Sequence, residues 1–88
     1  MLAMASKKMA VEINKFFRTT EKFKGHTAIY QKGVDFWGNV QSVISIYYPA
    51  EFYAFPRDLD NDEITCLARR CDGTLAGFLE ALADEIEI

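Results

Sequence analysis

Hydrophobic residues recur along this chain in two rhythms. From 6 to 18, Met9, Ile13, Phe16 and Phe17 fall three or four apart, with Lys7, Lys8, Glu12 and Lys15 around the rest of the axis. That spacing predicts a helix with one buried face, and Ser6 stands where an N-cap acceptor is wanted. The alternation Val11-Glu12-Ile13-Asn14 is the competing strand pattern, and the helical reading is preferred. Residues 19–26 follow as a polar connection that Gly25 can end.

Between 27 and 55 the rhythm changes to β-branched and aromatic residues broken by short turn signals. The expectation is an antiparallel meander of three or four strands, at 28–30, 34–37, 40–48 and 51–55. Gly38-Asn39 is the strongest turn signal, because glycine reaches positive φ without a Cβ clash. Lys32-Gly33 and Pro49-Ala50 are weaker signals, and Pro56 should stop the last strand. Two-residue loops would set 31 opposite 34, 37 opposite 40, and 48 opposite 51. One sheet face then collects Ala28, Tyr30, Trp37, Val40, Ile44, Ile46, Tyr53 and Phe55. The other collects Ile29, Val34, Phe36, Val43, Tyr47 and Phe52, with Gln31, Gln41 and Ser45 among them. A slip of one residue would exchange the faces locally.

Residues 57–63 read as a polar link rich in N-cap residues. Beyond it Ile64, Leu67, Ala68, Cys71, Leu75, Phe78, Leu82 and Ile86 form the clearest amphipathic stripe in the chain. Asp72-Gly73-Thr74 interrupts the stripe without shifting its phase. One long helix and a kinked pair are therefore both compatible with it. The class expected is α+β, a single small domain over 1–88: an N-terminal helix, the meander, then a C-terminal helix or helix pair.

Composition narrows the class further. Half of the 88 residues are hydrophobic, and Gly and Pro are few, which excludes disordered, collagen-like and low-complexity chains. No apolar run approaches the ~18–20 residues of a membrane span. Met1 to Ala5 is apolar, but the lysines follow it and no long hydrophobic segment does, which reads against a secretory signal. Cys66 and Cys71, five apart on a helical pattern, are poorly placed to bridge, and two free buried thiols suit the cytoplasm. The net charge of −3 hides an asymmetry. Residues 1–49 carry seven basic and three acidic groups, a balance of +4, and 50–88 carry three and ten, a balance of −7.

Catalytic equipment is sparse. His26 is the one histidine, and it reads as an exposed loop residue after Gly25. No Cys-x-x-Cys, His-x-x-x-His, P-loop or nucleophile-elbow pattern occurs. Asp58-x-Asp60-x-Asp62 resembles the start of a calcium loop, but Glu63 stands where glycine is needed and Arg69 where the bidentate glutamate is needed. Helix capping explains that cluster better. A helix-turn-helix over 63–80 fails because its second helix carries no base-reading side chain. The expectation is a protein that is not an enzyme and has no cofactor or metal.

Two functions remain. The first is a protein-protein interaction module of the phage or plasmid accessory or inhibitor kind. It would act through an aromatic sheet face (Phe36, Tyr47, Phe52) and an acidic C-terminal helix (Asp84, Glu85, Glu87). The partner would be another protein, of the nucleic-acid-handling type by charge complementarity. A homodimer is expected too, because two apolar sheet faces exceed what one short chain covers. The second is direct nucleic-acid binding by the basic, aromatic-rich half, with Lys22, Lys24 and Lys32 as cations and Trp37 as a stacking surface. A pI near 5.0 argues against it.

Overall fold

Helix α1 (Lys7–Thr19) begins where a side-chain acceptor is available. In the computed structural model, which describes residues 4–49 and 55–87, the Ser6 hydroxyl accepts the Met9 N–H at 3.1 Å. Met9, Ala10, Ile13 and Phe17 form the buried stripe. A short 3-10 turn over Glu21–Phe23 then folds Phe23 back against Phe16 and Phe17, with ring centroids 5.7 and 5.5 Å away. Gly25, at φ +90°, reverses the chain into the sheet beside Pro49.

The sheet has three antiparallel strands in the order β1 (Thr27–Val34), β2 (Val40–Tyr47), β3 (Arg57–Leu59). The expected turn at Lys32-Gly33 does not form. Gly33 stays in the ladder, and β1 runs on to Val34, opposite Val40. Phe36 and Trp37 thereby leave the strands for the loop, and Val34 joins the face opposite to the one expected. The expected strand 34–37 and the pairing of 37 with 40 are both replaced.

The third strand is also displaced. It lies at 57–59, inside the segment that reads as a polar link. Its one apolar residue, Leu59, pairs with Ile44 on the core side, and both have no exposed surface. On the other side Asp58 faces Ser45 and accepts its hydroxyl at 2.6 Å. A strand this short needs no hydrophobic run, because each face finds its partner on β2. Of the expected fourth strand, residues 51–54, Phe52 and Tyr53 included, lie outside the described residues, and Phe55 sits in an exposed bend.

Register settles the faces. Ala28, Tyr30, Val34, Val40, Ile44, Ile46 and Leu59 share one, and Ile29, Gln31, Val43, Ser45, Tyr47 and Asp58 share the other. A single cluster joins Ala28, Ile44, Ile46 and Leu59 to Met9, Ile13 and Phe17 of α1, to Ile64 and Leu67, and to Phe78, Leu82 and Ile86. The helices therefore pack on the same face, rather than one on each side. The second face is half polar, with Ile29 partly exposed and Ser45 closed off by Gln31 and Asp58.

The C-terminal stripe resolves into two helices, α2 (Asn61–Arg69) and α3 (Leu75–Ile86). Asp60 caps the first by accepting the Glu63 N–H at 2.9 Å, and Thr74 caps the second by accepting the Gly77 N–H at 3.0 Å. Gly73, at φ +85°, makes the turn between them. Cys71 lies in that connection with its thiol on the Ala68 carbonyl, and Cys66 is exposed rather than buried.

His26 corrects the sequence expectation most sharply. It is buried, not exposed, in a box formed by Phe17, Phe23 and Tyr48, with centroids 5.6, 5.3 and 5.0 Å from its ring. Neither ring nitrogen has a hydrogen-bond partner among the described residues. Burial lowers its pKa below 6.5, and the backbone of Lys24 and Phe23, acting the other way, is outweighed. The unfolded chain takes up this proton near its ordinary pKa, whereas the folded chain resists it. Stability is thus full above about pH 6.5 and falls as the pH drops towards the folded value. Urea unfolding between about pH 7.5 and pH 5 should show this loss, and His26→Leu should flatten it. An unchanged slope in that variant would place the titration elsewhere.

Candidate functional site

The β1–β2 connection is built around one side chain. Asp35 Oδ1 accepts the backbone N–H of Trp37 at 3.0 Å and of Asn39 at 2.8 Å. Its second oxygen accepts from the Asn39 and Gln41 amides at 3.4 and 3.1 Å. The Asp35 N–H donates to the Asn39 carbonyl at 2.9 Å, and the Gly38 N–H donates to the Asp35 carbonyl at 3.1 Å. Gly38 takes φ +85°, so the hairpin is closed by a turn whose last residue is left-handed. An aspartate at the first position of such a turn is favoured because its carboxylate can take these amides. The backbone N–H of Asn39 is the main reason the Asp35 carboxyl stays below its ordinary pKa, with Trp37, Asn39 and Gln41 adding to it.

What this loop presents is two aromatic rings. Phe36 is 92 % exposed and Trp37 81 %, and the rings meet edge to face at 5.5 Å. Val34 and Val40, paired at the end of the ladder, are 70 % and 69 % exposed. Both valines lie on the face that the helices cover elsewhere, so the hairpin overhangs the helical layer. The result is an apolar tip with one carboxylate, and that carboxylate is occupied by the loop's own amides. Scattered exposed apolar residues are ordinary, whereas here four are concentrated on one hairpin.

The other expected contact residues are not gathered with it. Tyr47 pairs with Thr27 at the far end of the sheet, about 23 Å along β1 from Val34. Phe52 lies outside the described residues. On α3, Glu85 binds Arg57 at 2.6 Å and approaches Arg70 at 3.7 Å, and Glu87 binds Lys22 at 3.0 Å. Arg57 is partly desolvated, which opposes its charge, but Glu85 and then Glu63 outweigh this and raise its pKa. These cations offset the acidic groups at the negative end of the helix, which leaves Asp84 as the one of the three, among the described residues, without an ion pair.

The basic candidates divide in the same way. Lys22 lies within the 3-10 turn and Lys24 follows it, and they are engaged by Glu87 and Glu21, each at 3.0 Å. Lys32 and Trp37 belong to the opposite end of β1. The stacking side chain and two of its three expected cations are therefore separated. Sequence reasoning singled out Phe36 and Trp37 but not Asp35, which holds them; the signal was Asp35 followed by Gly38-Asn39, a turn start three residues before a left-handed glycine.

Among the described residues no group of three His, Cys, Asp or Glu side chains could hold a metal ion, and no helix is long and apolar enough to cross a membrane. No family model, curated protein or solved structure matches the chain.

Proposed function

We propose that this protein is a non-enzymatic interaction module that inserts its hairpin tip, led by Phe36 and Trp37, into an apolar recess on another protein. The near-complete exposure of two aromatic rings on a loop tied by its own aspartate carries this reading. Large, rigid aromatic anchors dominate binding energy because they remove much apolar area from water at small entropic cost. The loop is ordered before binding, which lowers that cost further. An accessory or inhibitory protein acts in this way, by occupying a surface its partner needs.

Area favours a recess over a second tip. The exposed aromatic and valine surface amounts to roughly 500–600 Å² a side, so two tips together reach only the lower end of a stable interface. A concave partner contributes surface on all sides of the rings and closes more area around them.

The decisive comparison is retention of partner from nuclease-treated source lysate by the native chain and by Phe36→Ser/Trp37→Ser. The double variant should unfold within about 0.5 kcal/mol of the native chain, because neither ring packs on the core. It should also lose the retained protein. Equal retention by both chains would sink the proposal. So would tight binding of DNA or RNA whose affinity falls steeply between two salt concentrations.

A further inference from the structure

We propose that the outer edge of β1, from Tyr30 to Val34, receives an extended acidic segment of a partner protein as an added strand. This edge shares Val34 with the tip but uses backbone groups of β1 and neither aromatic ring. Its backbone polarity is set by Asn14, whose carboxamide nitrogen donates to the Ala28 carbonyl and whose oxygen accepts the Ala28 N–H, both at 2.8 Å. Ala28 thus directs both of its groups away from β2, and in an antiparallel ladder Tyr30, Lys32 and Val34 must do the same. Asn14 stands in for a neighbouring strand at one position and stops there. Among the described residues no strand pairs with the edge beyond it. An open row of N–H and C=O groups is a template for strand addition.

The charges along this edge choose the occupant. Lys32 projects from the edge itself, and Lys7 of α1 lines the same hollow with Ser6 and Tyr30. Both lysines are exposed, and neither forms an ion pair among the described residues, where Lys15, Lys22 and Lys24 each do. A strand with carboxylates at alternate positions would place them on the side of these ammonium groups. A second copy of the chain fits poorly. With Ala28 already filled, a two-fold pairing that uses both Tyr30 and Lys32 sets each Lys32 opposite or diagonal to its counterpart. Like charges so placed repel.

The probe is a short capped peptide alternating glutamate and threonine, with a lysine-threonine peptide as its counterpart, titrated into the full chain and followed by amide NMR. Binding of the acidic peptide should slow exchange of the Tyr30 and Lys32 amides by about tenfold or more, with the lysine peptide inert. Lys32→Pro removes an outward N–H together with the ammonium group while leaving every bond to β2, and should weaken the acidic peptide by at least about tenfold. Lys32→Glu keeps the N–H, should weaken the acidic peptide similarly, and should gain the lysine peptide. Phe36→Ser/Trp37→Ser should bind the acidic peptide as the native chain does. Four outcomes overturn the proposal: no binding at millimolar peptide, binding without protection of these amides, undiminished binding in both Lys32 variants, or loss of binding in the tip variant.

Discussion

Phe17→Ala is expected to lower the unfolding free energy by about 3–5 kcal/mol. Phe17 is 1 % exposed and touches the rings of Phe16, Phe23 and His26. It joins α1 to the 3-10 turn and, through His26 and Tyr48, to the end of β2. Truncation removes its own transfer energy and leaves a hole that three neighbouring rings, stiff and already in contact, cannot close. A chain of this length has a total stability of roughly 4–13 kcal/mol, so the variant should lose at least about a quarter of it. Urea denaturation followed by circular dichroism reads the loss. A decrease below about 1 kcal/mol would show that the aromatic box is not the packed corner described.

Asn14→Ala should cost about 1–3 kcal/mol although it removes no apolar surface. Its carboxamide satisfies both backbone groups of Ala28, a residue only 3 % exposed. Without it, the Ala28 N–H and C=O lose their partners where water has little access. Asn14→Asp separates hydrogen bonding from bulk. The carboxylate can still accept the Ala28 N–H, but its second oxygen meets the Ala28 carbonyl, acceptor against acceptor. Asn14→Asp should therefore also be destabilised at neutral pH, with the Ala28 amide exchanging faster in either variant. An Asn14→Asp chain as stable as the native one would remove the clamp from the account of α1 docking.

Much of the fold is legible because the signals are local. Ser6 and Thr74 cap the helices they precede, and the stripe Met9, Ile13, Phe17 is buried as its spacing demands. Even the face assignments of Ala28, Tyr30, Ile44 and Ile46 against Ile29, Val43 and Tyr47 agree with the register observed. Parity explains this: moving the turn from Lys32-Gly33 to the loop led by Asp35 changes which residues pair and moves Val34 to the other side of the pleat, but leaves these seven on the sides expected. The misplaced turn has a clear cause. Lys32-Gly33 is only a weak turn signal, whereas the decisive group is the Asp35 carboxylate, which supports the loop after Val34 with its own hydrogen bonds.

The candidate site was half legible for the same reason. Phe36 and Trp37 stand out as aromatic residues in any strand-rich segment, but aromatic enrichment alone does not distinguish core from surface. Their exposure depends on how far the helical layer extends beneath the hairpin, and that is set by the lengths and crossing of elements distant in sequence. The acidic end of α3 shows the reverse case. Asp84, Glu85 and Glu87 look like a free charged surface until Arg57, Arg70 and Lys22, from other elements, arrive beside two of them.

Sequence alone determined the helical faces, the N-cap at Ser6, the glycine turn at Gly38 and the α+β class, since each depends on neighbours within about one turn or one hairpin, whereas the structure chose the turn at Gly73 over one long helix. Tertiary structure decided that all three helices share one sheet face, that a polar segment becomes β3, that His26 is enclosed, and which aromatic residues remain in water. Those outcomes rest on contacts between different elements of the fold, where burial goes to whichever surfaces fit and short-range periodicity carries no record of the choice.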